Sequence, residues 1–310
     1  MTHPNTSETA PNRGLFSNAT LLLTLTTVFW GGNAVAGKFA VGEVSPLLLT
    51  AIRWLIAGLI LLVVAHRHLV RDWPIIRERL PYLFLLGAFG FALFNAALYT
   101  SLKYTTAINV TIFQAAMPMM IFVMNFAAFR TTIHWAQAVG YAVTLVGVLL
   151  TATGGDISLL ADLALNRGDV MILIGAFIYS GYSVALRSRP AIHWLSFLTV
   201  LVCAAATTSA FVALIEVADG SVIWPRSVTA WSVIIYTVIF PSMISQAFFA
   251  RGVELIGSNR AGLFMNLVPI FGSILAVLLL AETFQLFHGI ALALVIGGIA
   301  IAQNLTPHST

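Results

Sequence analysis

Six amide side chains fall inside long apolar stretches of this chain, where hydrocarbon could not solvate them. They are Asn33, Asn95, Asn109, Gln114, Gln246 and Asn266. An amide side chain both donates and accepts hydrogen bonds, so each one either joins two helices or lines a wet cavity that binds a solute reversibly. Their spread over several apolar stretches favours a shared polar interior. The chemistry it predicts is solute binding rather than bond making.

Aromatic side chains and two prolines accompany these amides. The aromatic candidates for the same interior are Trp30, Tyr99, Phe113, Tyr179, Tyr182, Phe249 and Phe264. Pro118 and Pro269 lack an N–H, so the carbonyls of Gln114 and Met265, four residues earlier, lose their helical partners. Lipid cannot supply a replacement, whereas protein or a water-filled cavity can. We expect a helix break at each proline, either as a packed kink or as part of a ligand site.

Groups that could carry out catalysis are missing from the middle of these stretches. The seven histidines lie in tails or near helix ends, at positions 3, 66, 68, 134, 193, 288 and 308. No Asp or Glu falls at the middle of a stretch, since Glu43 and Glu282 lie at ends. A carrier for lipophilic cations usually needs a buried carboxylate that exchanges a proton for the substrate, so a neutral or zwitterionic solute is favoured. The single cysteine, Cys203, excludes an internal disulfide, and we expect no metal or cofactor.

The composition places these residues in a membrane. The chain has 310 residues, 59% hydrophobic and 8% charged, whereas soluble domains are about 25% charged. A helix of about 20 apolar residues crosses a bilayer. Ten stretches qualify, near 18–38, 46–65, 81–101, 105–127, 135–153, 169–187, 193–215, 228–250, 258–280 and 286–304. The sequence predicts an all-α membrane protein with ten transmembrane helices, short connections such as DWPIIRERLP, a disordered tail at 1–17 and a second tail at 305–310.

Cationic residues set the predicted orientation. With the N-terminus in the cytoplasm, the inner segments hold ten of the 15 Lys and Arg residues and the outer segments hold four, as the positive-inside rule requires. Both termini are therefore expected on the cytoplasmic side of a bacterial inner membrane. Lys38 and Arg53 lie toward the outer ends of the first two spans. We expect them at an outer rim, where they either snorkel or attract carboxylates.

Two parts of the chain resemble each other at a constant offset. INVTIFQAAMPMMIF in the fourth span matches NRAGLFMNLVPIFGS in the ninth, with Pro118 placed 151 positions before Pro269. The predicted units are residues 18–153 and 169–304. Each holds five helices, an odd number, so the second unit enters the membrane from the opposite side. Inverted repeats of this kind support alternating access to a site at the midplane.

The fifth and tenth spans carry almost no polar side chains. Gly140 and Gly147 are seven positions apart, as are Ala291 and Gly298, and that spacing puts each pair on one helix face. These faces predict close helix packing. We interpret the two spans as supporting helices outside the solute path.

Four stretches resemble the drug/metabolite transporter superfamily, in its ten-helix EamA-type branch. The resemblance covers roughly residues 18 to 304 and rests on WGGNAVAGK, SPLLLTAIRW, NAALYTSLKYTTAINVTIFQAAMP and GSNRAGLFMNLVPIFGSILAVLLLAETF. It implies export of small metabolites through a central cavity that the fifth and tenth helices do not line. Within the superfamily the chain looks most like exporters of aromatic amino acids. The departure is Glu282, whose repeat counterpart is Thr131, so an acidic feature at that position is not duplicated.

These features predict an inner-membrane exporter of amino acids, aromatic and other neutral ones, and of related small metabolites. Its partners would be a small-molecule substrate and membrane lipid, without nucleic acid, and a monomer would suffice. The alternative within the superfamily is a nucleotide-sugar or drug transporter, and nucleotide sugars would require a basic central pocket. An intramembrane enzyme would need clustered catalytic groups, and a channel would need a glycine-rich filter or charged rings.

Overall fold

The computed structural model describes residues 17–130, 135–156 and 166–304. Apart from Ser17, the two predicted tails lie outside these residues. The described part of the chain is helical and contains no strand. Its helices are α1 Ala19–Phe39, α2 Pro46–Val64, α3 His66–Glu78, α4 Leu80–Ser101, α5 Ala107–Phe129, α6 Trp135–Ala152, α7 Arg167–Ser188, α8 Trp194–Ala218, α9 Val228–Ile256, α10 Arg260–Leu280 and α11 Leu286–Asn304.

The chain is a multi-pass membrane protein. Over the described ranges, nine helices are long and apolar enough to cross a bilayer. The tenth predicted span, α11, has a slightly shorter apolar stretch, Leu286–Ala302. The remaining helix, α3, occupies a connection where the sequence indicated only a loop. It buries Asp72 and Ile76 and exposes Trp73, an arrangement typical of helices that lie along a membrane interface.

The helix irregularities recur at the offset of the sequence repeat. A π-helical turn interrupts α4 over Ala88–Leu93, and another interrupts α9 over Phe240–Ile244. Left-handed residues end α5 at Arg130 and α10 at Ala281, 151 positions apart. Such features cost conformational energy in an ordinary residue, so their recurrence at matching positions indicates related local structures in the two parts of the chain.

α6 and α11 pack against each other along much of their length. A Cβ atom on Gly140 would lie 2.3 Å from the Gly298 carbonyl oxygen, and one on Gly147 would lie 2.8 Å from that of Ala291. Backbones approach this closely only where the residue is small. The close-packing faces predicted for the fifth and tenth spans are confirmed.

α5 and α10 meet over only part of their length. Their main contact joins residues 107–114 to residues 268–280, where a Cβ atom on Gly272 would lie 2.4 Å from the Thr111 Cγ2 atom. In their other halves most described side chains are half-buried or exposed. We call the end of the bundle where the two helices meet the Lys38 end, after the residue at the end of α1, and the opposite end the Arg187 end.

Candidate functional site

A buried arginine lies at the centre of the polar interior. Arg53 on α2 is 3% exposed. Its Nε atom donates to Ser242 Oγ at 2.6 Å, and its Nη1 atom donates to Asn33 Oδ1 at 3.2 Å, to Asn95 Oδ1 at 2.8 Å and to the Tyr99 hydroxyl. We call these five residues the Arg53 cluster. It joins α1, α2, α4 and α9, and it therefore draws on both units of the predicted repeat.

The expectation that Arg53 lies at an outer rim is wrong. Arg53 is seven residues past Pro46, the first residue of α2, which places it about 10 Å along the helix axis. Snorkelling over that distance would leave the Asn95 side-chain oxygen without its donor and Asn33 with that of Tyr99 alone. The guanidinium instead turns inward to those acceptors, since a charged group in an apolar surrounding is stabilised by every hydrogen bond it makes.

Contacts within the cluster hold its members in place. The Tyr99 hydroxyl donates to Asn33 Oδ1 at 2.8 Å. Asn95 Nδ2 donates to the Phe91 carbonyl at 2.8 Å, and Ser242 Oγ donates to the Thr237 carbonyl at 2.7 Å. The Ser242 bond reaches back five residues, across the π-helical turn of α9, which frees that carbonyl from ordinary α-helical pairing. The polar atoms are thus held in place by bonds within the protein.

Aromatic side chains flank the cluster. The Arg53 guanidinium carbon lies 4.6 Å from the centroid of the Trp54 ring, within cation–π range. Trp30 donates from Nε1 to the Pro241 carbonyl at 3.2 Å, and its ring centroid lies 5.5 Å from that of Phe249. Pro241 precedes Ser242 of the cluster. An apolar, aromatic surface therefore adjoins the cationic centre.

Two further predicted aromatics form their own group with α4. The ring centroid of Tyr179 lies 4.9 Å from that of Phe94 and 5.3 Å from that of Tyr182, and Tyr182 is buried against Gly90 and Phe91. They pack one helix away from Arg53. Phe113 is fully enclosed in the hydrophobic core, so it lines no opening.

The remaining predicted residues lie outside the Arg53 cluster and are half-buried on α5, α9 and α10. They are Gln114, Gln246, Phe264 and Asn266. Gln114 Nε2 donates to the Val110 carbonyl of its own helix at 3.3 Å. None of them contacts Arg53 by a hydrogen bond. Of the predicted amides, Asn33 and Asn95 therefore belong to the cluster, whereas these residues lie outside it.

The helix breaks fall where the two prolines enter. α5 loses its helical turn at residues 115–116 and resumes at Met117. α10 passes through a 3₁₀ turn at Met265–Leu267 and resumes at Val268. Pro118 and Pro269 each occupy the first turn of the new segment, where a missing N–H costs nothing. Both helices are therefore jointed near their middles.

Lys38 is half-buried at the Lys38 end, where it ties the end of α1 to the turn between α4 and α5. Its Nζ atom donates to the Leu102 carbonyl at 2.9 Å and to the Thr105 carbonyl at 2.8 Å. Thr105 in turn donates to buried Asp169 at 2.6 Å. The ammonium is thus directed at the turn between α4 and α5 and away from Arg53.

Two carboxylates join further helices at the Lys38 end. Glu282 accepts from the backbone N–H groups of Ala107 and Ile108 at 2.8 and 3.0 Å. Glu216 does the same for Leu47 and Leu48 at 3.1 and 3.0 Å. Each carboxylate satisfies the unpaired N–H groups of a helix start and complements its positive dipole. Neither cap was predictable from the sequence, because the Glu216 cap joins residues 168 and 169 positions apart and the Glu282 cap joins residues 174 and 175 positions apart.

Glycines explain how α1 reaches this interior. A Cβ atom on Gly31 would lie 2.6 Å from the backbone nitrogen of Gly272, and one on Gly32 would lie 2.2 Å from the Tyr236 hydroxyl oxygen. Any larger residue would push α1 away from α9 and α10. The glycines therefore allow Asn33, one position later, to reach Arg53.

A separate apolar cavity of about 300 Å³ lies between α2, α3, α4 and α8. Leu62, Trp73 and Phe84 are among its lining residues, and no charged side chain lines it. The hydroxyls of its two threonines, Thr199 and Thr207, donate to carbonyls of their own helix. The Arg53 cluster, by contrast, brings charged and polar side chains of four helices together.

Comparisons with known proteins agree with this architecture. The family model described as EamA-like transporter family matches residues 17–153 and again residues 166–303. The uncharacterized transporter YyaM of Bacillus subtilis (strain 168) is 24% identical over 298 residues, which cover 93% of this chain and 94% of that protein. A protein named S-adenosylmethionine/S-adenosylhomocysteine transporter, from Chlamydia muridarum (strain MoPn / Nigg), is 24% identical over 281 residues, covering 86% and 85%.

A solved crystal structure has a similar fold. It superposes with a TM-score of 0.64 at 22% identity and covers 93% of this chain and 96% of the other. At that identity the likeness concerns the fold alone.

Proposed function

Because the chain belongs to the EamA-like transporter family, we propose that it exports aromatic and other neutral amino acids from the cytoplasm by alternating access. The Arg53 cluster is the centre of the solute path. Asn33, Asn95 and Tyr99 supply neutral hydrogen-bonding groups, and Trp30 and Phe249 supply an apolar surface beside them.

One observation carries this proposal: α5 and α10 pack together at the Lys38 end, whereas their described side chains are less buried toward the Arg187 end. Residues 107–114 of α5 pack on α10, and Glu282 caps the start of α5. Beyond the breaks in α5 and α10, residues 118–122 and 264–267 are half-buried. A central site reached from one side at a time is what a carrier needs.

The cation distribution supports the orientation. The positive-inside rule puts both termini in the cytoplasm and the Lys38 end outside. The arrangement in the structure then faces the cytoplasm, the side from which an exporter loads. For release, the caps of Glu216 and Glu282 must open while α5 and α10 approach each other at the Arg187 end.

The repeat supports the mechanism. One family model matches the chain twice, and left-handed residues end α5 and α10 at the repeat offset. Two inverted units can exchange conformations, so that the contact pattern at one end is rebuilt at the other. The two ends of the bundle differ, however, in the Glu282 cap on the start of α5, which we call the latch. The repeat counterpart of Glu282 is Thr131, which has no carboxylate. Closure at the Lys38 end is therefore the stronger of the two.

A second candidate substrate class comes from one relative. The Chlamydia muridarum protein is named for S-adenosylmethionine and S-adenosylhomocysteine, and these solutes combine an amino-acid group with a flat aromatic base. The same cluster and aromatic surface would suit them. Competition in the assay below distinguishes the two classes.

The test is flux of labelled L-phenylalanine in liposomes that contain the purified protein. We expect saturable flux without a pH gradient, accelerated by unlabelled L-phenylalanine on the opposite side. Acceleration of this kind requires a site that alternates between the two faces. Flux that rises linearly with concentration indicates a channel and would refute the mechanism, whereas inhibition by S-adenosylmethionine alone would favour the second class.

A further inference from the structure

We propose that Arg53 binds the carboxylate of the transported solute and that this contact selects monocarboxylates. The inference rests on the proposed function, whose substrate class it narrows. It starts from donors that the guanidinium does not use. Arg53 has five N–H groups, and its hydrogen bonds to the described residues come from Nε and Nη1. Nη2 donates none of them.

The positive charge of Arg53 also has no anionic partner within the described residues. Its acceptors are two amide oxygens and two hydroxyls, all neutral. The ion pairs found there are Arg71–Asp72 and Arg251–Glu254, neither of which includes Arg53. A buried charge without a counterion is costly. A solute that brings its own negative charge removes that cost, and the cost provides the driving force for binding.

The nearby carboxylates cannot serve as that counterion because other groups hold them. Glu216 and Glu282 each accept two backbone N–H bonds at helix starts. Asp169 accepts from Thr105. All three lie at the Lys38 end. The centre is thus left with one net positive charge.

The charge balance favours a carboxylate over a phosphate. One guanidinium neutralises one negative charge, whereas a phosphate monoester carries nearly two at neutral pH. A second cation would be needed, and Lys38 is already bonded to the carbonyls of Leu102 and Thr105. A planar carboxylate also matches the planar fork of Arg.

The aromatic surface beside Arg53 would bind the apolar part of the solute. Trp30 lies three positions before Asn33, so both are on the same face of α1, about 4.5 Å apart along the axis. Trp30 also bonds the Pro241 carbonyl, next to Ser242. An aromatic ring one or two carbons from a carboxylate could therefore contact Trp30 and Phe249 while its carboxylate reaches Arg53.

Pairs of ligands in which a neutral amide of similar shape replaces the carboxylate test the inference. Ligand-dependent thermal stabilisation of the purified protein is measured with L-phenylalanine against L-phenylalaninamide, phenylacetate against phenylacetamide, and phenyl phosphate. Each pair is compared in wild type, Arg53→Gln, Arg53→Lys and the control Arg77→Gln, which changes an exposed arginine on α3.

In wild type and Arg77→Gln we expect each acid to bind about tenfold or more tightly than its amide, because a charged hydrogen bond is lost. Arg53→Gln should bind acid and amide alike, and Arg53→Lys should keep part of the preference. Equal binding of acid and amide by wild type, no binding of any carboxylate, or a preference that survives in Arg53→Gln would overturn the inference. Tightest binding of phenyl phosphate would overturn the carboxylate assignment.

The outcomes also separate this inference from the proposed function. Saturable L-phenylalanine flux combined with equal transport of the amide would leave the carrier and remove the carboxylate contact. Absence of L-phenylalanine flux combined with an Arg53-dependent preference for phenylacetate would leave the contact and remove the amino-acid substrate. If Arg53→Gln does not fold, the acid–amide comparison in wild type and Arg53→Lys still decides.

Discussion

In two pairs of helices, α6 with α11 and α5 with α10, the members of each pair are repeat counterparts. The two pairs differ in how their members contact each other. The first pair is in contact along much of its length, with Gly140 against Gly298 and Gly147 against Ala291. The main contact of the second pair among the described residues is at the Lys38 end, and both of its helices are broken near a proline. The difference supports the proposal that one pair is a fixed support and the other, which we call the gate, moves during transport. The gate's contact at one end must be rebuilt at the other.

The largest effect is expected in the supporting pair. A Cβ atom at Gly298 would lie 2.4 Å from the Gly140 carbonyl oxygen, and backbone cannot move aside. Gly298→Leu should destabilise the protein by about 3 kcal/mol, seen as a lower melting temperature in detergent. The adjacent Gly297, whose Cβ position has no neighbour within 4 Å in the described part of the chain, provides the control Gly297→Leu. If the two variants melt alike, this close-packed contact does not hold the fold.

Gly262→Leu, on gate helix α10, should strongly reduce transport without affecting stability. Among the described residues, nothing lies within 4 Å of a Cβ atom at Gly262, so the variant should melt like wild type. The repeat offset maps the Thr111–Gly272 contact onto Gly262 and Ile121. Closure of the Arg187 end would then bring these two together, and leucine would obstruct it. We expect flux to fall about tenfold. Normal flux in a correctly folded variant would rule out this closure.

At the centre, Asn33→Leu should reduce transport about tenfold. The change removes an acceptor shared by Arg53 and Tyr99, while Asn95 and Ser242 still hold the guanidinium, so the fold should persist. Flux and melting temperature are compared with those of Thr207→Leu, which alters an exposed residue of α8. Unchanged flux in Asn33→Leu would remove this amide from the solute path.

Weakening the latch at the Lys38 end should have a moderate effect. Glu282→Gln keeps at most one of the two bonds to the start of α5, because its amide nitrogen cannot accept from a backbone N–H. The bond that remains is neutral and roughly half as strong. In a background with Cys203→Ala, we expect a cysteine at buried Thr111 to react about fivefold faster with a membrane-impermeant maleimide. No change in the labelling rate would mean that Glu282 does not control this end.

The smallest effect concerns a contact that neither pair uses. Asp72 on α3 accepts from Arg71 at 3.0 Å and from the His193 backbone N–H at 2.9 Å. Burial alone would raise the pKa of its carboxyl, but these hydrogen bonds outweigh burial and lower the pKa to about 2. The unfolded pKa is about 3.9, so the carboxylate stabilises the fold above that pH and loses its contribution as the pH falls through 2.

We therefore expect Asp72→Asn to melt about 2 °C below wild type at pH 7. The gap should be constant down to about pH 4 and should close between pH 4 and pH 2. The measurement is a thermal melt of both proteins at pH 7, 5, 4 and 3. A gap that does not depend on pH would show that the charge of Asp72 is not what stabilises the contact.

Much of the fold followed from local signals in the sequence. Continuous apolar runs predicted the spans because a bilayer fixes the length of a helix that crosses it. Pro118 and Pro269 marked the joints because a proline removes an N–H wherever it lies. The spacing of Gly140 and Gly147 identified a packing face because helical periodicity alone determines it.

The missed features depend on distant partners. The position of Arg53 along its predicted span suggested a location near the outer end. Its surroundings are instead set by Asn95 and Ser242, which lie on other helices. The one available signal was that Arg53 lies too far inside its span to reach water easily. The Glu282 cap on Ala107 joins residues 175 positions apart, and no periodicity predicts such a pair.

The central claim is that α5 and α10 rock about the Arg53 cluster while α6 and α11 stay fixed. Spin labels at Tyr104 and Phe284 report the Lys38 end, labels at Phe129 and Arg260 report the Arg187 end, and labels at Leu145 and Ile290 report the support. Addition of saturating L-phenylalanine should shift the first two distance distributions in opposite directions and leave the third unchanged. Distances that widen together at both ends, or that stay fixed while flux proceeds, would contradict the account.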